Sequence, residues 1–71
     1  MNDMAKSPKL MALLKLIDDL GENAYWPQIV NKANNYGLKF IELRPLLEYA
    51  LKKGYVREEG EIYVINVKIK R

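Results

Sequence analysis

The 71-residue chain carries 12 Lys and Arg against 9 Asp and Glu, a formal net charge of +3, and 49% of its residues are hydrophobic. This composition predicts one small folded domain over residues 1–71, and the mild positive charge favours an anionic partner. The absence of cysteine and histidine excludes disulfides, thiolate metal sites, cysteine nucleophiles and imidazole bases.

The first predicted helix spans residues 8–20. Ser7 is a favoured N-cap residue, Pro8 is tolerated at the first helical position, and Gly21 ends the helix. Apolar residues repeat at helical spacing along this segment and form one wide arc: Leu10, Leu13, Leu14, Leu16, Ile17 and Leu20. Residues 1–6 precede the cap, and we expect them to be frayed.

The second predicted helix spans residues 27–36 and follows a brief extended segment at 24–26. Pro27 disfavours helical geometry at Trp26, so we expect Trp26 to be extended and the helix to open at Pro27. Gly37 ends this helix. The segment 24–26 could add a short third strand to the sheet predicted further along the chain.

The third predicted helix spans residues 40–53 and contains a proline. Its apolar residues have the spacing of one buried helix face: Leu43, Leu46, Leu47, Ala50 and Leu51. Pro45 lacks a backbone N–H and would clash with the carbonyl of Ile41 in a continuous helix. Either the helix is kinked or its first turn is irregular, and we expect an irregular turn over 40–43 before a regular helix from Arg44 to Lys53. Gly54 supplies a left-handed cap.

Two short strands are predicted at 55–57 and 62–67. They are joined by a polar connection of hairpin length that contains Gly60 and three carboxylates, Glu58, Glu59 and Glu61. Hydrophobic and polar residues alternate in the second strand, which is longer than its partner. Its unpaired part could form an edge that invites a second chain. The predicted fold class is therefore α+β, with three helices followed by a β-hairpin.

This order of elements, over residues 8–67, resembles a winged helix-turn-helix domain of small bacterial and archaeal transcriptional regulators. The stretch LEYALKKGYVREEGEIYVI is similar to the family's leucine-bearing third helix, Lys-Gly, strand, wing and strand. The resemblance implies a sequence-specific double-stranded DNA-binding protein. Such a protein would regulate transcription as a homodimer, with the third helix in the major groove.

The resemblance also implies which residues would touch DNA. Arg44 is the best candidate for a base contact, because its guanidinium can donate two hydrogen bonds to a guanine edge. The other candidates would bond phosphates: Lys32, Asn34, Asn35, Lys39, Tyr49 and Lys52.

Acidic residues favour a second interpretation. Glu42 and Glu48 occur on the same side of the third helix, where phosphates would repel them, and the acidic hairpin tip should not lie against a phosphate backbone. A winged-helix protein-interaction module within a larger nucleic-acid-processing assembly would tolerate both features. A separate basic cluster at residues 68–71 could contact the DNA backbone or keep an exposed edge in solution: Lys68, Lys70 and Arg71.

Nothing in the sequence indicates catalysis. Ser7 is the only Ser or Thr, the acids lack the spacing of a paired acid and base, and the four glycines are scattered at turns. We expect no enzyme activity, cofactor, metal or small-molecule ligand. No apolar run is long enough to cross a bilayer, and the N-terminus has too little apolar length for a signal peptide. The predicted location is the cytoplasm.

Overall fold

The computed structural model describes residues 7–66. It has three α-helices followed by an antiparallel hairpin of two strands, which confirms the α+β fold class and is compatible with a winged-helix-like arrangement. The elements are α1 (Pro8–Leu20), α2 (Trp26–Lys32), α3 (Phe40–Lys53), β1 (Val56–Glu59) and β2 (Ile62–Ile65). Short 3-10 turns at Gly21–Asn23 and Ala33–Tyr36 follow α1 and α2.

Helix α1 lies at the centre of the core and has the predicted bounds. The Ser7 hydroxyl accepts a hydrogen bond from the Leu10 N–H at 3.4 Å, and Gly21 follows the last helical residue. Helices α2 and α3 and strand β2 all contact α1. These three neighbours explain the width of its apolar arc, which is buried at Leu10, Leu13, Leu14, Leu16 and Ile17.

Helix α2 begins at Trp26, so the expectation that Trp26 is extended is wrong. Tyr25 is the N-cap, with φ −80° and ψ 153°, and Pro27 follows Trp26 in the first turn. The first backbone N–H groups of a helix have no intrahelical acceptor, so a proline is tolerated there without a lost hydrogen bond. The predicted span to residue 36 is divided between α2 and the 3-10 turn at Ala33–Tyr36.

The possible third strand at 24–26 is reduced to one isolated antiparallel bridge. Tyr25 pairs with Ile62, and the Tyr63 N–H donates to the Ala24 carbonyl at 3.0 Å. Because the chain turns into α2 at Trp26, the ladder cannot extend further.

Helix α3 is α-helical from Phe40, so the irregular turn expected over 40–43 is wrong. Pro45 lies in the second turn and removes the one backbone hydrogen bond that would reach the carbonyl of Ile41. Ile41 is 79% exposed, so water can bond this carbonyl instead. The helix ends as predicted at Gly54, which has a left-handed φ of 82°.

The hairpin has a shorter loop than the sequence indicates. Strands β1 and β2 pair from Val56↔Ile65 to Glu59↔Ile62, so Glu58 and Glu59 belong to β1 and the loop is Gly60-Glu61. Gly60 is the first residue of this two-residue loop and has a φ of 64°, whereas within residues 7–66 no residue other than glycine has a positive φ, so Glu61 has a negative one. A positive φ at the first loop position followed by a negative φ at the second is the type II′ pattern. The frayed end predicted at 1–6, the last predicted strand residue Val67 and the basic cluster of residues 68–71 lie outside the described residues.

Candidate nucleic-acid interface

The N-terminal halves of α2 and α3 meet at an aromatic contact. The rings of Trp26 and Phe40 are 6.5 Å apart between centroids, with an interplanar angle of 60°. The guanidinium carbon of Arg44 lies 4.8 Å from the centroid of the Trp26 ring, within the range of a cation–π interaction. No hydrogen bond or ion pair among residues 7–66 uses this guanidinium, so its donors remain available.

Two large hydrophobic side chains project beside this contact. Phe40 is 67% exposed and Ile41 is 79% exposed, although both are apolar and begin α3. Together with Trp26 and Arg44 they form a surface that we call the α2–α3 face. On its α2 side, an open groove is lined by Trp26 and Phe40 and by the exposed amide side chains of Gln28 and Asn31.

Glu42 holds the start of α3 rather than projecting as a free carboxylate. Its Oε1 accepts a hydrogen bond from the Lys39 backbone N–H at 2.9 Å and another from Lys9 Nζ at 3.2 Å. Lys9 Nζ also donates to the Gly37 carbonyl at 2.8 Å. The Lys39 N–H, and then the Lys9 ammonium, lower the pKa of Glu42. Lys9 therefore offsets the charge that was expected to repel phosphates.

The predicted contact residues are divided among different parts of the surface. Lys39 is exposed and directly precedes Phe40, so it lies beside the α2–α3 face. Lys52 is exposed in the last turn of α3, about 12 Å beyond Arg44 at a rise of 1.5 Å per residue. Tyr49 is half-buried, with its ring 6.3 Å from Tyr55 in an edge-to-face contact.

The remaining three candidates lie away from α3. Lys32 is in the last turn of α2, and Asn34 and Asn35 are in the 3-10 turn that follows. All three are exposed, and within residues 7–66 no hydrogen bond or ring contact joins them to Arg44.

The base of the hairpin is tied together by Arg57. Its guanidinium donates to Glu59 at 2.7 and 3.1 Å and to Asn66 Oδ1 at 2.8 Å, and the Asn66 side-chain N–H donates to the Gly54 carbonyl at 3.1 Å. Arg57 is thus engaged within the hairpin.

Burial, and then the negative charge of Glu58, raise the pKa of Tyr63, while the positive charge of Arg44 opposes this shift. The electrostatic effect of Arg44 therefore extends to the hairpin.

A second groove lies on the opposite part of the hairpin, between β2 and the end of α1. Its lining includes the apolar Ile17, Ile62 and Val64 and the acidic Glu22, whereas Glu59, which also lines it, is ion-paired with Arg57. In the antiparallel ladder, Asn66 donates to Tyr55, so the backbone groups of Ile65 point away from β1 towards the outer edge. The groove therefore combines an apolar floor, the acidic Glu22 and the outward-pointing backbone groups of Ile65.

The sequence analysis named Arg44 and Lys39 as candidates, and the structure places them in and beside the α2–α3 face, but it did not predict the aromatic part of this face. Ile41 carried a signal, since it is an apolar residue outside the spacing of the buried residues of α3. No sequence pattern indicated that Trp26 would lie beside α3, because this position depends on how the two helices pack.

The described helices show no span of the length and apolarity that a membrane requires. Within residues 7–66 no three carboxylates are grouped as metal ligands. No protein-family model matches this chain, and neither a curated protein nor a solved structure is significantly similar to it.

Proposed function

We propose that this chain is a sequence-specific double-stranded DNA-binding protein that regulates transcription, with α3 in the major groove. The observation that carries the proposal is the α2–α3 face, where Arg44 lies over Trp26 with its hydrogen-bond donors available. A helix fits the major groove, and helix-turn-helix proteins read base edges with the N-terminal residues of the second helix of the motif. Arg44 lies in the N-terminal half of α3, and Lys39 is its N-cap residue.

The charges around the start of α3 support this proposal. Lys39 and Arg44 are exposed cations, and Lys9 offsets the charge of the Glu42 carboxylate that lies between them in the sequence. The N-terminal end of a helix also carries a partial positive charge. Glu48 remains exposed in the same helix, where the amino group of a cytosine would compensate it.

A homodimer completes the proposal. One α3 offers a single short reading element, whereas two copies about 34 Å apart would enter successive major grooves. A DNA-binding regulator of this kind would act in the cytoplasm, without enzyme activity.

The test is binding of the purified chain to a library of random duplexes, followed by titration of the enriched site with salt. We expect an enriched, two-fold symmetric site with half-sites one helical turn apart, and an affinity that falls as salt rises. No enriched site and a flat, weak response to salt would contradict the proposal.

The groove between β2 and α1 favours a second candidate, a protein-interaction module within a nucleic-acid-processing assembly. Its apolar floor, the acidic Glu22 and the outward-pointing backbone groups of Ile65 suit an extended basic segment of a partner, which would pair with β2 beyond the Ala24–Tyr25 bridge. A stable stoichiometric partner, together with no retardation of DNA at low salt, would select this candidate over the first.

A further inference from the structure

The start of α3 is unusual because two strongly exposed side chains there are apolar. Ile41 and Phe40 are the most exposed of the large hydrophobic residues described, ahead of Tyr25 at 41% and Met11 at 37%. They cover the position from which a recognition helix reaches base edges. Phosphate binding does not use such side chains, so their role differs from that of Lys39 and Arg44.

Major-groove chemistry offers one apolar feature that this surface fits. Thymine carries a C5 methyl group in the major groove, and apolar side chains recognise it by contact. On the other side of Phe40, the exposed amides of Gln28 and Asn31 line the groove next to Trp26. Asn and Gln are the side chains that bond the N6 and N7 atoms of adenine, which lies opposite thymine in the same base pair.

We propose that the apolar part of the α2–α3 face, Ile41 and Phe40, reads A·T pairs in duplex DNA by packing against thymine methyl groups, next to the base that Arg44 contacts. The inference rests on the proposed DNA-binding function and adds the base preference. The neighbouring cations favour DNA over an apolar protein surface as the occupant of this face, because Lys39 and Arg44 flank it and Lys9 neutralises Glu42. These cations complement the charge of the phosphates on both sides of the groove.

The experiment replaces each thymine of the enriched site, one at a time, by deoxyuridine. This change removes the methyl group and keeps the base pair, so it isolates the apolar contact. We expect the affinity to fall about fourfold at each contacted thymine, which corresponds to about 0.8 kcal/mol for one buried methyl group. The same series is measured with Ile41→Ala and Phe40→Ala, and with Met11→Ala as a control on α1.

The variants should separate the two sides of the contact. Ile41→Ala or Phe40→Ala should bind the thymine and deoxyuridine duplexes equally well at the position that the missing side chain contacted. Met11→Ala should keep the wild-type ratio, and thermal unfolding of each variant checks that the fold is retained. Ile41 is 79% exposed, so its truncation should leave the fold intact.

The outcomes distinguish this inference from the function on which it rests. Tight binding of an enriched site that lacks thymine, or one in which every thymine tolerates deoxyuridine, would overturn the A·T inference and leave DNA binding in place. Persistence of the wild-type ratio in both α3 variants would overturn it as well. No retardation of any duplex at low salt would overturn both.

Discussion

Arg44 is the residue on which the DNA proposal can be tested most directly. Its guanidinium is stacked on Trp26 and its donors are available, so a bidentate contact to guanine would need little reorganisation. We expect Arg44→Ala to weaken binding of the enriched duplex by about 1–3 kcal/mol, roughly 5- to 160-fold in Kd. Fluorescence anisotropy measures this change.

Lys15→Ala is the matched control for Arg44. It removes the same charge from α1, where Lys15 Nζ lies 3.4 Å from Asp19. We expect a change of roughly twofold or less, because salt screens exposed charges that do not touch the DNA. Equal losses in the two variants would show that Arg44 contributes only its net charge.

Glu42 gives a prediction about stability and pH. Its pKa is lowered in the folded state by the Lys39 N–H and by Lys9. A carboxyl group with a lowered folded pKa stabilises the protein above its unfolded pKa, about 4.3 for glutamate, and this stabilisation is lost as the pH falls through the folded value. We therefore expect Glu42→Gln to be less stable than wild type at pH 7, with a difference that shrinks below about pH 4.

Urea unfolding of both proteins from pH 7 to pH 3 measures this difference. Glu48→Gln is the matched control, since Glu48 is in the same helix and has no hydrogen bond among residues 7–66. Parallel stability profiles for Glu42→Gln and wild type would contradict a stabilising role for the Glu42 charge.

At the scale of the element, Pro45 shows how a helix accommodates a proline. Because α3 is continuous from Phe40, Pro45 leaves the Ile41 carbonyl without its backbone donor. We expect Pro45→Ala to restore that hydrogen bond and to raise the free energy of unfolding by about 2 kcal/mol, the proline penalty less the entropy that proline removes from the unfolded chain. Chemical denaturation measures the gain.

Pro27→Ala is the control for this substitution. Pro27 lies in the first turn of α2, where its missing N–H has no intrahelical acceptor. We expect no gain there, and a loss of about 0.4–1 kcal/mol. If Pro45→Ala also gave no gain, residues 40–43 would form an irregular turn in solution and the regular helix would begin near Arg44, as predicted from the sequence.

The elements could be predicted where the local chemistry decides them. Ser7, Pro8 and Gly21 determine the bounds of α1, and Gly54 marks the end of α3. The wrong predictions concern positions where exposure to solvent or tertiary packing determines the backbone conformation. The free-energy cost of Pro45 in α3 depends on how exposed Ile41 is to solvent. The polar residues Glu58 and Glu59 were assigned to a loop, but an exposed strand face is polar as well.

The candidate interface likewise has a part that could be predicted from the sequence and a part that could not. Charge and helix position were sufficient to select Arg44 and Lys39 from the sequence. The engagement of Glu42 by Lys9 and the stacking of Arg44 on Trp26 join residues far apart in the chain. Such contacts depend on how the elements pack in three dimensions, and neither hydrophobic periodicity nor helix-capping rules predict this packing.

At the scale of the whole molecule, stability depends on the burial of α1. Leu16 is fully buried in the core that α1 shares with α2, α3 and β2. We expect Leu16→Ala to lower the free energy of unfolding by about 2–5 kcal/mol, through lost burial and a cavity. A domain of this size has little stability in reserve, so the variant should be largely unfolded at 37 °C.

Circular dichroism during thermal denaturation measures the effect of Leu16→Ala. Met11→Ala is the control in the same helix, because Met11 is 37% exposed. We expect it to change the free energy of unfolding by about 0.5 kcal/mol or less. Similar losses at both positions would contradict the central place of Leu16.

The described core contains no buried polar or charged side chain. The core of this part of the chain is therefore built from apolar side chains alone. The charged groups that add to its stability lie at the surface, as Glu42 does with Lys9 and Arg57 with Glu59. Phe40, Ile41 and Arg44 can be exchanged together over evolutionary time with little cost to the scaffold. Under the proposed DNA-binding function, the same 71-residue framework would accept different target preferences, and a designer would be able to transplant new recognition residues onto it.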